Sequence, residues 1–130
     1  MAAQNEVETL ITAIKEKKQA LKNAQIDFCT KLDDYIFSDG LEKNERRFFN
    51  DFNNLAKTIG IRFRGISIEK AANRVNISTN EIKGFIEKLN KSFDYPLTIS
   101  IDGTIKINCF SELQNMITQE RKDLLHLQGI

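Results

Sequence analysis

Between Ile66 and Ile107 the hydrophobic period of the chain changes from helical to alternating, with a capping signal ahead of each helical stretch. Few architectures accommodate that order. Ser67 precedes Ile68, Ala71, Ala72 and Val75, which recur at helical spacing, so it is placed to cap a first short helix. Asn76 and Ile77 make a tight connection. Ser78-Thr79-Asn80-Glu81 then fits a capping box, in which the Ser hydroxyl and the Glu carboxylate each satisfy an orphan backbone N–H. A second helix sets Ile82, Phe85, Ile86, Leu89 and Phe93 along one face, and Pro96 ends it. Leu97, Ile99 and Ile101 alternate as a strand does. Asp102-Gly103 is a pair preferred in a type I′ turn, and Ile105 and Ile107 alternate on the return.

The rest of the chain reads as helix. Val7, Ile14, Leu21, Phe28 and Tyr35 fall at strict sevens, and Leu10 and Ala24 fall between them. That is an a/d heptad pattern in a helix from about Glu6 to Phe37, with Lys17 and Lys31 at two of the d positions. The stripe of Val7, Leu10, Ile14, Leu21, Phe28 and Tyr35 is expected to associate with a twin or a partner helix, or else to dock on its own domain. Ser38-Asp39-Gly40 breaks the pattern. Asp39, with Glu42 three residues on, is placed to cap a second helix bearing Phe48, Phe49, Phe52, Leu55, Ala56 and Ile59, and Gly60 is its stop. Residues 61–66 are expected as a short strand pairing with the hairpin. Ser111, with Gln114, is expected to cap a last helix carrying Leu113, Met116, Ile117, Leu124 and Leu127.

The fold class that follows is mainly α with a small β-hairpin. Residues 1–37 form a long heptad helix, 38–60 an amphipathic helix, 61–109 the core unit and 110–130 a C-terminal helix. At 130 residues this is one domain, or a small domain with a helical extension. No run approaches the roughly 18 apolar residues of a membrane span, and no signal-peptide region opens the chain, so an intracellular protein, cytoplasmic or nuclear, is expected. Cys29 and Cys109 belong to different elements and fit no metal spacing; two reduced thiols are expected. The sequon Asn76-Ile77-Ser78 reads as turn chemistry.

Catalytic arrangements are missing from the pattern. His126, the only histidine, has no nucleophile or orienting carboxylate at a recognisable spacing. Asp33-Asp34 are helix neighbours that point apart, and the six glycines are scattered and build no phosphate loop. The expectation is a binding protein without catalytic residues, metal or cofactor.

The order helix, turn, helix, hairpin resembles the winged-helix family, over about a third of the chain. That resemblance implies that the second helix of the pair is the recognition helix, whose N-terminal half meets base edges in the major groove of duplex DNA. Thr79, Asn80 and Lys83 are chemically suited there, since Asn pairs with adenine and Lys with guanine. With Ile82, Ile86 and Leu89 turned inward, a 100° step puts Asn80, Lys83, Gly84, Glu87 and Lys91 on the outer face. Arg62, Arg64, Lys70, Arg74, Lys88 and Lys106 are candidates for phosphate contacts. Residues 61–109 carry a formal charge of +3, against −1 on each flanking part. The leading expectation is thus a DNA-binding homodimer resembling MarR-like regulators. Three features depart from it: Glu87 on the outer face, Asp102-Gly103-Thr104 at the hairpin tip, and Ser92-Phe93-Asp94-Tyr95-Pro96 where a Gly and an Arg stand in that group. They are closer to winged helices of protein assemblies, such as PCI-domain and ESCRT-II-type subunits. The alternative expectation is therefore an adaptor or scaffold subunit that assembles a protein complex.

Overall fold

A computed structural model describes residues 2–129, with side chains from residue 4 onward. Five α-helices surround a three-stranded antiparallel sheet: α1 (Ala2–Ile36), α2 (Lys43–Ile59), β1 (Ile66–Ser67), α3 (Ile68–Val75), α4 (Thr79–Asn90), β2 (Leu97–Ile99), β3 (Thr104–Ile107) and α5 (Asn108–Leu127). The fold is mainly helical with a small sheet and a long N-terminal helix. Among the described residues no helix is long and apolar enough to cross a membrane.

The sheet order is β1-β3-β2, with Ile66 opposite Ile105 and Leu97 opposite Ile107. Ile105 and Ile107 turn inward, which fixes the register, because a slip by one residue would expose both. Gly65 has φ +109°, and a Cβ there would stand 2.5 Å from the Ile105 carbonyl oxygen. Only glycine lets β1 approach β3 this closely. The expected strand over residues 61–66 is thereby shortened. Gly60–Arg62 instead forms one 3-10 turn, and pairing begins at Ile66.

Local signals fix most helix ends. The Ser67 hydroxyl accepts from the Lys70 N–H at 3.4 Å, and the Ser78 hydroxyl from the Glu81 N–H at 3.1 Å. Only half of the expected box at Ser78 is a backbone contact, because the Glu81 carboxylate accepts from Asn44 Nδ2 instead. Asn76, at φ 55°, supplies the left-handed residue that turns the chain from α3 into α4. α2 begins later than expected, after Glu42 and not Asp39, with the Glu45 carboxylate accepting from the Glu42 N–H at 3.1 Å. α5 begins earlier, directly from β3 at Asn108, and Gln114 lies inside it with a different task.

The hairpin turn also departs from the type I′ expectation. Asp102 does not take positive φ; Gly103 alone does, at 80°. Ser100 N–H donates to the Thr104 carbonyl and Gly103 N–H to that of Ser100, so residues 101–103 form the loop. This is a turn followed by one left-handed glycine, the next commonest hairpin closure after the two-residue loops. Asp102 stabilises it with its side chain, accepting from the Thr104 N–H and the Ser100 hydroxyl, and these bonds hold its carboxyl below the usual range. Ile101 consequently leaves the strand alternation and stands fully exposed at the tip.

All five helices and the sheet share one core. Phe28 is its hub, edge-on to Phe52, Phe93, Tyr95 and Phe110 with ring centroids 5.7 to 6.3 Å apart. The association stripe expected on α1 is therefore largely spent within the chain. Ile14, Leu21 and Phe28 are buried, and Tyr35 packs on Phe49 and Phe93. Val7 and Leu10, near the helix N-terminus, are half-buried. α5 and α2 are the elements that cover α1. Lys17 and Lys31 do not face a twin helix either: Lys17 pairs with Glu120 of α5, and Lys31 with Asp94 at 2.7 Å. Cys29 and Cys109 are free thiols, and burial pushes both above the ordinary thiol value.

Candidate nucleic-acid interface

α4 lies on α2 and α3 through Ile82, Phe85, Ile86 and Leu89, all buried. The periodicity then fixes what it turns outward: Asn80, Lys83, Gly84, Glu87 and Lys91 are all exposed, while Thr79 is half-buried beside the cap. Among the described residues, Asn80, Lys83 and Lys91 make no side-chain hydrogen bond or ion pair, and nothing lies within 4 Å of where a Gly84 Cβ would be. The centre of this face is bare. Gly84 lacks any reason within its own chain for being glycine, since no neighbour approaches it.

The remaining basic candidates divide by what they touch. Arg74 is committed to Asp51 by two parallel bonds of 2.9 Å each. This bidentate contact raises the Arg74 pKa above its ordinary value. Lys88 reaches from α4 to Glu45, 3.2 Å away, whose side chain is 1% exposed. A lysine that neutralises a buried carboxylate is tied to the fold. Glu45 also affects Tyr35, whose pKa is raised by burial and then by the negative charge of Glu45. Lys106 lies on β3 opposite Thr98, half-buried and near Asp102. No basic residue stands at the hairpin tip.

Arg62 and Arg64 do not join the α4 face. They line a cleft of about 490 Å³ with Lys18 of α1 and Arg121 of α5, and none of its lining residues comes from α3, α4 or the hairpin. The ten basic and polar candidates thus separate into an open set on α4 (Asn80, Lys83, Lys91) with Thr79 half-buried at its start, a tethered pair (Arg74, Lys88), a cleft pair (Arg62, Arg64), Lys70 exposed on α3 and Lys106 on the sheet. Lys18 and Arg121 escaped the sequence reading. For Arg121 a signal existed: Gln114, Ile117, Thr118 and Arg121 follow the i, i+3, i+4, i+7 rule and share one side of α5.

Two backbone clamps hold these surfaces in place, and both come from side-chain amides. The Asn90 amide pairs with both backbone groups of Leu97, accepting at 2.9 Å and donating at 2.8 Å, so the end of α4 fixes the start of β2. Gln114 Nε2 donates to the carbonyls of Ile61 at 3.1 Å and Phe63 at 2.8 Å. The chain has no significant match to any family model, curated protein or solved structure.

Proposed function

We propose that this chain is a non-enzymatic winged-helix module that binds duplex DNA through the outer face of α4. The single observation that carries the reading is the bare face itself: Asn80, Lys83 and Lys91 are exposed, without partners among the described residues, around a glycine that nothing covers. Asn and Lys side chains of this kind match adenine and guanine edges, and Gly84 allows a groove wall to come close. Arg74 and Lys88 are spoken for by carboxylates and drop out of the contact set; Lys70 and Lys106 remain for phosphates. The α1 stripe serves the core, so a homodimer is no longer required by this reading.

A second reading is favoured by one specific feature. Ile101 is fully exposed beside Asp102 at a hairpin tip that carries no basic residue. An apolar tip suits insertion into a protein groove better than contact with phosphates, as in an adaptor subunit that assembles a complex.

Titration of the full chain with random-sequence duplex at low and at moderate salt separates the two. DNA binding predicts saturation at low salt and a steep loss as salt rises, because neutralised phosphates release counterions. Absence of binding at low salt defeats the DNA reading and leaves the adaptor. Solution mass under the same conditions reports whether a dimer exists at all.

A further inference from the structure

The cleft between α1, the Gly60–Arg62 turn and α5 brings together Lys18, Arg62, Arg64 and Arg121, and no acidic residue lines it. Among the described residues none of these four forms an ion pair or a side-chain hydrogen bond. Lys17, Lys31, Lys57, Arg74 and Lys88 elsewhere in the chain have carboxylate partners; what sets the cleft apart is that four unpaired cations converge on one hollow. The hollow thus presents four positive charges to solvent with no carboxylate among its lining residues, a local field that favours an anion.

We infer that the cleft is a binding site for a small phosphate-bearing anion of nucleotide size. Three guanidinium groups offer planar forks that match phosphate oxygens in pairs, and Lys18 adds a point charge. The volume of about 490 Å³ is that of a small-ligand pocket. Ile61, exposed and backed by the buried Leu21 and Ile117, gives it an apolar floor on which a base or sugar can rest. The site is also preorganised. Gln114, itself buried, grips the carbonyls of Ile61 and Phe63, which fixes the backbone from which Arg62 and Arg64 project. Side chains on a fixed backbone lose less entropy when they close on a ligand. Because no lining residue belongs to α4 or the hairpin, this site stands or falls independently of DNA binding.

The test is calorimetric titration of the full chain at low salt with inorganic pyrophosphate and, separately, with ATP in the absence of metal. Saturable binding of both is expected, with ATP the tighter if the apolar floor takes the base. Arg64→Gln with Arg121→Gln is expected to weaken both probes by about tenfold or more, the loss of charge-assisted hydrogen bonds. Lys22→Gln with Lys122→Gln removes the same charge elsewhere and is expected to leave both unchanged. Amide resonances of wild-type Gln114 and Thr118 should move on addition of pyrophosphate, a readout that needs no variant to fold. No saturable binding of either probe, equal weakening in the Lys22/Lys122 control, or shifts confined to α4 would overturn the assignment.

Discussion

Gln114 Nε2 lies 2.8 Å from the carbonyl oxygen of Phe63, to which it donates from the far end of the sequence, and the same nitrogen serves Ile61. The contact replaces the strand pairing that residues 61–63 do not make. Gln114→Leu keeps the volume but leaves both carbonyls without this donor. A loss of about 2 kcal/mol is expected, since an unsatisfied buried acceptor costs more than a surface hydrogen bond returns. Urea unfolding followed by circular dichroism measures it, and an unchanged m-value with a lower midpoint is the expected pattern.

The fold was legible wherever one residue and its near neighbours decide the outcome. Ser67 and Ser78 cap because a hydroxyl reaches an N–H three residues on, and Gly60 stops α2 because few other residues take its backbone angles. The hairpin was legible from alternation, but its turn was not. Asp-Gly suits both a type I′ turn and the loop found here, in which Asp102 acts by its side chain. The covering of α1 was not legible either. Periodicity tells which face is apolar and says nothing of which element lies on it, so a stripe that meets α2 and α5 reads the same as one that meets a twin. The α4 face was deduced correctly as exposed, because burial of Ile82, Ile86 and Leu89 leaves no alternative. The carboxylate partners of Arg74 and Lys88 were not legible, because Arg74–Asp51 and Lys88–Glu45 join residues far apart in sequence.

Phe28 tests the reassignment of α1 from association to core. Four aromatic rings stand edge-on around it, contributed by α2, α5 and the link after α4. Phe28→Ala is expected to cost about 3 to 5 kcal/mol, the range for emptying a buried aromatic site. Ile26→Ser, two residues earlier on the other side of α1 and 55% exposed, is expected to change stability by less than about 0.5 kcal/mol. If the stripe worked mainly between chains, the Phe28 effect would instead depend on protein concentration, which unfolding curves at two concentrations reveal.

Tyr95 and Asp27 give the chain a pH response at both extremes. The Tyr95 hydroxyl donates to Asp27 Oδ2 at 2.5 Å, and Lys31 Nζ lies 3.3 Å from the same oxygen. Burial, then the hydrogen bond to Asp27 and its charge, push the Tyr95 phenol up to about 12. The neutral phenol is thus the form the fold favours. Its contribution is complete below the unfolded value of about 10 and falls away as pH rises towards 12. Asp27 behaves oppositely: the Tyr95 hydroxyl holds its carboxyl below the usual range, so its contribution is present above that range and lost as pH falls through the depressed value. In a Tyr35→Phe background, tyrosinate absorbance is expected to titrate with a midpoint near 12, and Asp27→Asn should lower that midpoint.

Two glycines should respond in opposite senses to the same substitution. At Gly65 a methyl group would meet the Ile105 carbonyl oxygen at 2.5 Å and Thr104 Cγ2 at 2.8 Å, on a backbone with φ +109°. Gly65→Ala is expected to destabilise by about 2 to 3 kcal/mol. At Gly84 a methyl group meets nothing within 4 Å, in the middle of α4. Gly84→Ala is expected to stabilise by about 0.5 to 1 kcal/mol, as helix propensity dictates. Thermal unfolding of the two variants checks both signs. If the more stable Gly84→Ala chain also binds duplex DNA less tightly, the glycine is there for the partner.

Lys83 and Lys91 decide whether the α4 face is a DNA surface. Both are exposed and lack partners among the described residues, so replacing them should change stability by less than about 0.5 kcal/mol, and any effect on binding is then a direct one. Lys83→Ala with Lys91→Ala removes two cations from the proposed contact. The logarithmic dependence of affinity on salt should then become shallower by about 2, close to one per lysine that neutralises a phosphate. Lys83→Glu with Lys91→Glu adds repulsion and is expected to abolish binding to mixed-sequence duplex. The salt slope separates two ways of losing affinity. A weaker variant with the wild-type slope would mean that neither lysine touches a phosphate. An unchanged affinity in the Glu variant would move the DNA surface off α4 altogether.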